Sequence, residues 1–232
     1  MNSRVRITNS LLVIAAIDVF ALVVLLAALG GGSAPVRADP GVLYVSSTCS
    51  GAPSPCYTTI QEAVDAASSG DEIHIAQGTY TGVRQRAGIT QVVYITKDLT
   101  LLGGWNGDFT VRDPSAYPTT VDAQGLGRGI VISGPVTATL DGLKITGGNA
   151  AGLKGGYAFS LYDSGSGLYI FTATVALSDC LISGNVVSPY TYSIGGGIYA
   201  HKANLTIQGG RIYTNVAWYG GGIALWESRT VM

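Results

Sequence analysis

At 232 residues the chain has room for one domain or for an array of small repeats. A net charge of -1 and a pI near 6.0 leave no electrostatic footprint for nucleic acid. Only 12% of residues are charged, against roughly a quarter in an average soluble domain, and there are 33 glycines, so turns should be frequent and helices scarce.

The first 38 residues carry Arg4 and Arg6, an apolar run at 11–29 interrupted by Asp18, and then Gly, Ser and Pro before the small residues Val36 and Ala38. This is the order of an export signal, cleaved before Asp39. The run is also long enough to stay in the bilayer as a signal anchor, and in either case the segment contacts the membrane during export. Asp18 has no partner charge within the run and reads as tolerated there. Residues 39–232 are thus expected as one domain that is extracellular or on the cell surface.

Cys49 and Cys56 lie seven apart in the loop TCSGAPSPC, where an exported protein is expected to hold a disulfide. Cys180 is left over and reads as a small buried hydrophobe. Three cysteines and two histidines show no metal-site spacing, so neither a metal nor a cofactor is expected.

Residues 57–82 read YTTIQEAVDAASSGDEIHIAQGTYTG. Thr59 and Glu62 form a capping box, and Ile60, Ala63, Val64 and Ala67 follow at helical spacing, so a short helix is predicted over 60–67, ended by Gly70. The alternation at 72–75 then predicts a strand with Ile73 and Ile75 inward and His74 outward. Further strand-sized apolar segments follow at 92–95, 99–102, 130–132, 138–145, 168–177, 181–182, 198–199, 205–207 and 212–213.

The chain repeats itself. Sliding residues 166–187 forward by 30 puts Gly167 on Gly197, Tyr169 on Tyr199, Leu177 on Ile207, Ile182 on Ile212 and Asn185 on Asn215 without a gap. An earlier copy, TLDGLKITGGNA, joins them if one glycine is inserted, with Ile145 on Ile182 and Asn149 on Asn185. A period of 25–30 residues with several short strands per copy fits an all-β parallel β-helix, a solenoid in which like residues stack about 4.8 Å apart. Asn149, Asn185 and Asn215 would form a structural Asn ladder, and the paired glycines would take positive φ at the turns.

The block at 57–82 resembles the N-terminal cap of right-handed parallel β-helix proteins of the pectate-lyase-like superfamily. The motifs GGIY and GGIA, with Ile182-Ser-Gly-Asn185 and Ile212-Tyr-Thr-Asn215, resemble chlamydial polymorphic outer-membrane protein repeats, with Ile where those have Phe. The resemblance spans about residues 42–232 and implies the fold, its right hand and an exported setting, and says little of activity.

Enzymes of that superfamily are similar in needing clustered carboxylates. Here only Asp71 and Glu72 lie close together, on alternating faces of a strand, so no catalytic residue is assigned. Asp122 and Asp141 each start a Gly turn and read as caps of their own turns. His74 and His201 read as surface residues without triad partners.

The loops after each Asn shorten from 17 residues (149 to 167) to 11 (185 to 197) and 6 (215 to 222). They carry Tyr157, Phe159 and Tyr162, then Tyr190 and Tyr192, then Trp218 and Tyr219. Stacked along one edge, these rings either bind a sugar or a protein partner, or fold back over the flank. The resulting expectation is a non-enzymatic exported scaffold for cell-surface adhesion or glycan binding, with a polysaccharide or surface glycan as partner and no nucleic acid. The alternative is the N-terminal part of a polysaccharide lyase or glycoside hydrolase whose catalytic coils lie past residue 232, because the chain stops part-way through a coil without a polar cap.

Overall fold

The computed structural model describes residues 40–154, 162–188 and 192–232. The expected signal segment at 1–38 lies outside them, as do Tyr157, Phe159 and Tyr190.

The described chain is all-β with a single helix, Ile60–Ala66. Thr59 and Glu62 close the capping box, and the helix stops one residue before the expected Ala67, whose backbone is already extended. Lys97 holds the far end by donating from Nζ to the carbonyls of Val64 (3.0 Å) and Asp65 (2.9 Å). Gln61 accepts from the Tyr94 N–H at 2.6 Å, so the helix is pinned by polar groups while Ile60, Ala63 and Val64 cover the start of the core.

The strands belong to three main sheets. The first runs in the order Cys56–Tyr57, Val42–Val45, Glu72–Ala76, Leu99–Trp105, Thr137–Asp141, Thr174–Ser178, Asn204–Gln208 and Arg229–Val231. The second holds Gly78–Tyr80, Thr119–Asp122, Leu143–Thr146, Leu181–Ser183 and Arg211–Tyr213. The third holds Arg84–Arg86, Ile89–Ile95, Arg128–Ser133, Leu168–Phe171, Ile198–His201 and Ile223–Trp226. From Leu99 onward the chain visits the first, second and third sheets in that order and returns each time beside its previous strand, in parallel.

Register puts like on like. Ile73, Leu101, Leu140, Leu177 and Ile207 align across the first sheet. Val121, Ile145, Ile182 and Ile212 align across the second, and Val93, Ile130, Leu168, Ile198 and Ile223 across the third. These columns form one core cluster, and each fully buried aliphatic side chain contributes about 1.5–3 kcal/mol relative to exposure.

The expected strands 138–145 and 168–177 are each two, broken at Gly142 (φ 67) and at Thr172 (φ 56). The Asn column has two members, not three. Asn185 Nδ2 donates to Asn215 Oδ1 at 3.0 Å and to the Ile145 carbonyl at 3.1 Å, and Asn215 Nδ2 donates to the Ile182 carbonyl at 2.8 Å. Asn149 instead pairs with Val186, one position late, and its side chain accepts locally from the Ala151 N–H. The register admits no inserted residue after Ile145, so Gly148 occupies the ladder position, its N–H donating to Asn185 Oδ1 at 2.9 Å.

The glycine pairs meet the expectation in part: Gly209 and Gly210 both take positive φ. Gly195 has positive φ, but Gly197 does not; a Cβ there would lie 2.5 Å from the Gly222 carbonyl. Close approach of stacked backbones is what requires glycine at that position.

Candidate functional site

Cys49 and Cys56 are joined in a disulfide, and Cys180 is buried with its thiol pushed up to about 11 by desolvation. Neither histidine lies open on the surface as expected. His74 stacks on Trp105 with centroids 4.6 Å apart, and His201 is 3% exposed beside Phe171. The reason is local: Tyr44 and Trp105 flank His74, and Phe171 and Tyr199 flank His201, all on the outward faces of their strands. Asp122 accepts from the Gln124 N–H at 2.8 Å, capping its turn, and Asp141 pairs with Arg112.

The outward column of the third sheet reads Val131, Tyr169, Tyr199 and Ala224, with Phe171, His201 and Trp226 beside it. Over the two tyrosines lies a small parallel sheet, Asp163–Ser164 with Ser193–Ile194, extended by a bridge from Ile194 to Tyr219. Tyr169 and Tyr199 are therefore 2% and 6% exposed.

Polar groups fix this cover. Arg128, fully buried, donates from Nε to the Ser164 carbonyl at 2.9 Å and also to the Lys154 carbonyl, with its guanidinium 5.2 Å from the Tyr169 ring centroid. Burial lowers its pKa to about 10, partly offset by Tyr169 and Asp163, so it stays charged at neutral pH. Asp163 accepts from the N–H groups of Gly152 (2.7 Å) and Lys154 (2.9 Å). Ser193 Oγ donates to the Ser188 carbonyl at 2.6 Å and accepts from the Trp218 N–H at 3.0 Å.

Beside Ile223–Trp226, the outermost strand of the third sheet, the column passes from Tyr199 to Ala224 and the aromatic cover is open, with Ile223 and Leu225 also reaching the surface. A groove of about 550 Å³ opens there, floored by Ile194, Tyr199 and Ala224 and walled by Tyr162, Tyr192, Tyr219 and Trp226. None of its lining residues carries a charge at neutral pH. Ring centroids lie 5.8 Å apart for Tyr162 and Tyr192, and 6.3 Å apart for Tyr192 and Trp218 and for Trp218 and Tyr219. The four described aromatics expected at the loop edge thus come together: their strand bases fold over the flank while the rings remain exposed, Tyr192 by 66%.

Sequence reasoning missed Tyr199 and Trp226, which belong to strands rather than loops. The 30-residue alignment of Tyr169 with Tyr199 was the available signal for one of them. At the rim, the Trp226 indole N–H donates to Glu227 at 3.2 Å, and Glu227 faces Lys202 at 3.7 Å.

Compared with family models, with curated proteins and with solved structures, the chain matches none.

Proposed function

We propose that the chain is an exported right-handed parallel β-helix of the pectate-lyase-like kind, acting as a non-enzymatic scaffold that presents a glycan-binding groove at the cell surface. The cyclic order of three sheets with in-register parallel pairing supports the winding, and parallel crossovers favour the right hand. The disulfide suits an oxidising compartment outside the cell.

The observation that carries the function is the uncharged aromatic groove. Sugar rings present apolar C–H faces rimmed by hydroxyls; Tyr and Trp offer a flat apolar face with a polar tip, and so match both parts. The strand bases that carry its loop rings are held by contacts of the buried Arg128 and of Asp163 and Ser193, which lowers the ordering required on binding.

Calorimetric titration of the purified protein with cell-wall and surface oligosaccharides tests the reading. Binding should be present in the wild type and weaker by about 1–2 kcal/mol in Tyr219→Ala and Tyr192→Ala, with melting temperatures nearly unchanged. Binding by no glycan, or binding that both variants retain in full, would refute it.

A further inference from the structure

The same groove, on the glycan-binding reading above, also indicates what kind of glycan it takes. We infer that its ligand is a neutral, extended oligosaccharide lying along the stacking direction, across the strands, with successive sugars against successive loops.

Direction follows from the origin of the walls. Tyr162, Tyr192 and Tyr219 come from three consecutive loops that pair side by side through Asp163 with Ser193, Ser164 with Ile194, and Ile194 with Tyr219. Tyr162 and Tyr192 lie 5.8 Å apart, and Tyr192 reaches the third loop through Trp218, 6.3 Å from it and from the lining Tyr219, so a linear ligand meets a ring of each loop only if it runs along this row. A ligand crossing it would meet one ring.

Neutrality follows from the lining. The groove offers aromatic faces, aliphatic floor and phenol hydroxyls, with no lysine, arginine or histidine among its lining residues. A carboxylate or sulfate placed there would lose water and gain only neutral phenol donors, with no cation to offset its charge, which is costly. At the rim Lys202 and Glu227 face one another at 3.7 Å, and Asp163, beside Tyr162, accepts from the N–H groups of Gly152 and Lys154.

The floor supplies the decisive variant. Ala224 follows Tyr169 and Tyr199 in one outward column, so Ala224→Tyr extends an existing stack and fills the groove. The test titrates the full protein with neutral β-glucan, xylan and mannan oligomers of increasing length, and with oligogalacturonate and sulfated dextran. Each titration is repeated in low and high salt and with Ala224→Tyr and Tyr219→Ala.

The expected result is that affinity for a neutral oligomer rises with length until three loops are spanned and then levels off. It should be insensitive to salt and about tenfold weaker or more in both variants. Binding only to the charged polymers, salt-sensitive yet lost in Ala224→Tyr, would overturn the neutral class while leaving a glycan groove in place. Neutral binding that is saturated by a single sugar would overturn the lengthwise path. Binding unaffected by both variants, or binding by no polymer, would overturn the groove itself. Should Ala224→Tyr fail to fold, Tyr219→Ala and the length and salt series decide the same points.

Discussion

Asn185 is fully buried and its side chain serves four backbone or side-chain groups: the Gly148 N–H, the Ile145 and Ser183 carbonyls, and Asn215. Replacing it by Leu leaves several of these unpartnered, so unfolding free energy should fall by about 2–3 kcal/mol or more in urea titrations. Asn149→Ala, which removes one local bond, should cost less than about 1 kcal/mol. An alignment absorbs a gap without cost and so yields a three-member ladder, whereas hydrogen-bonded strands already in register at Ile145 and Ile182 cannot absorb one. His201 gives a pH test. Burial first and Lys202 second hold its imidazole below the ordinary 6.5, with Glu227 offsetting part. As pH falls through the ordinary value the unfolded ring takes a proton before the folded one does, so this contribution to stability is full above that value and is lost below it. The melting temperature should therefore drop between about pH 7.5 and 5.5, and drop less in His201→Phe.

Among the elements, the corner between the third and first sheets recurs at Gly134, Thr172, Lys202 and Glu227, all with positive φ. Thr172 is β-branched at φ 56, a conformation its side chain disfavours. Thr172→Asn should raise unfolding free energy by about 0.5–1 kcal/mol, read from denaturant midpoints. The same corner explains why 168–177 reads as one strand in sequence: apolar residues continue through it, and no glycine marks the turn. The helix was more legible, since cap and stripe are both local in sequence. Thr59→Ala should cost about 1 kcal/mol, whereas the Lys97 contact at its other end comes from about thirty residues away and left no local sign.

Over the whole molecule, the groove arises from two trends running along the stack: loops that shorten, and an outward column that passes from Tyr199 to Ala224. The loop aromatics could be read from repeat spacing because they lie at one edge. The floor could not, because inward and outward residues of the third sheet are both apolar and only the register separates Tyr199 from Ile198. The three tryptophans are well placed to report on this account: Trp226 walls the groove, Trp218 lies in the exposed row, and Trp105 stacks on His74. The most direct measurement is the indole N–H spectrum of ¹⁵N-labelled protein during titration with a neutral oligosaccharide, its signals assigned by single Trp→Phe variants. The groove account predicts that the Trp226 and Trp218 signals shift and saturate together while Trp105 stays in place. Saturable binding that leaves Trp226 and Trp218 unmoved, or no shift in any of the three, would contradict it.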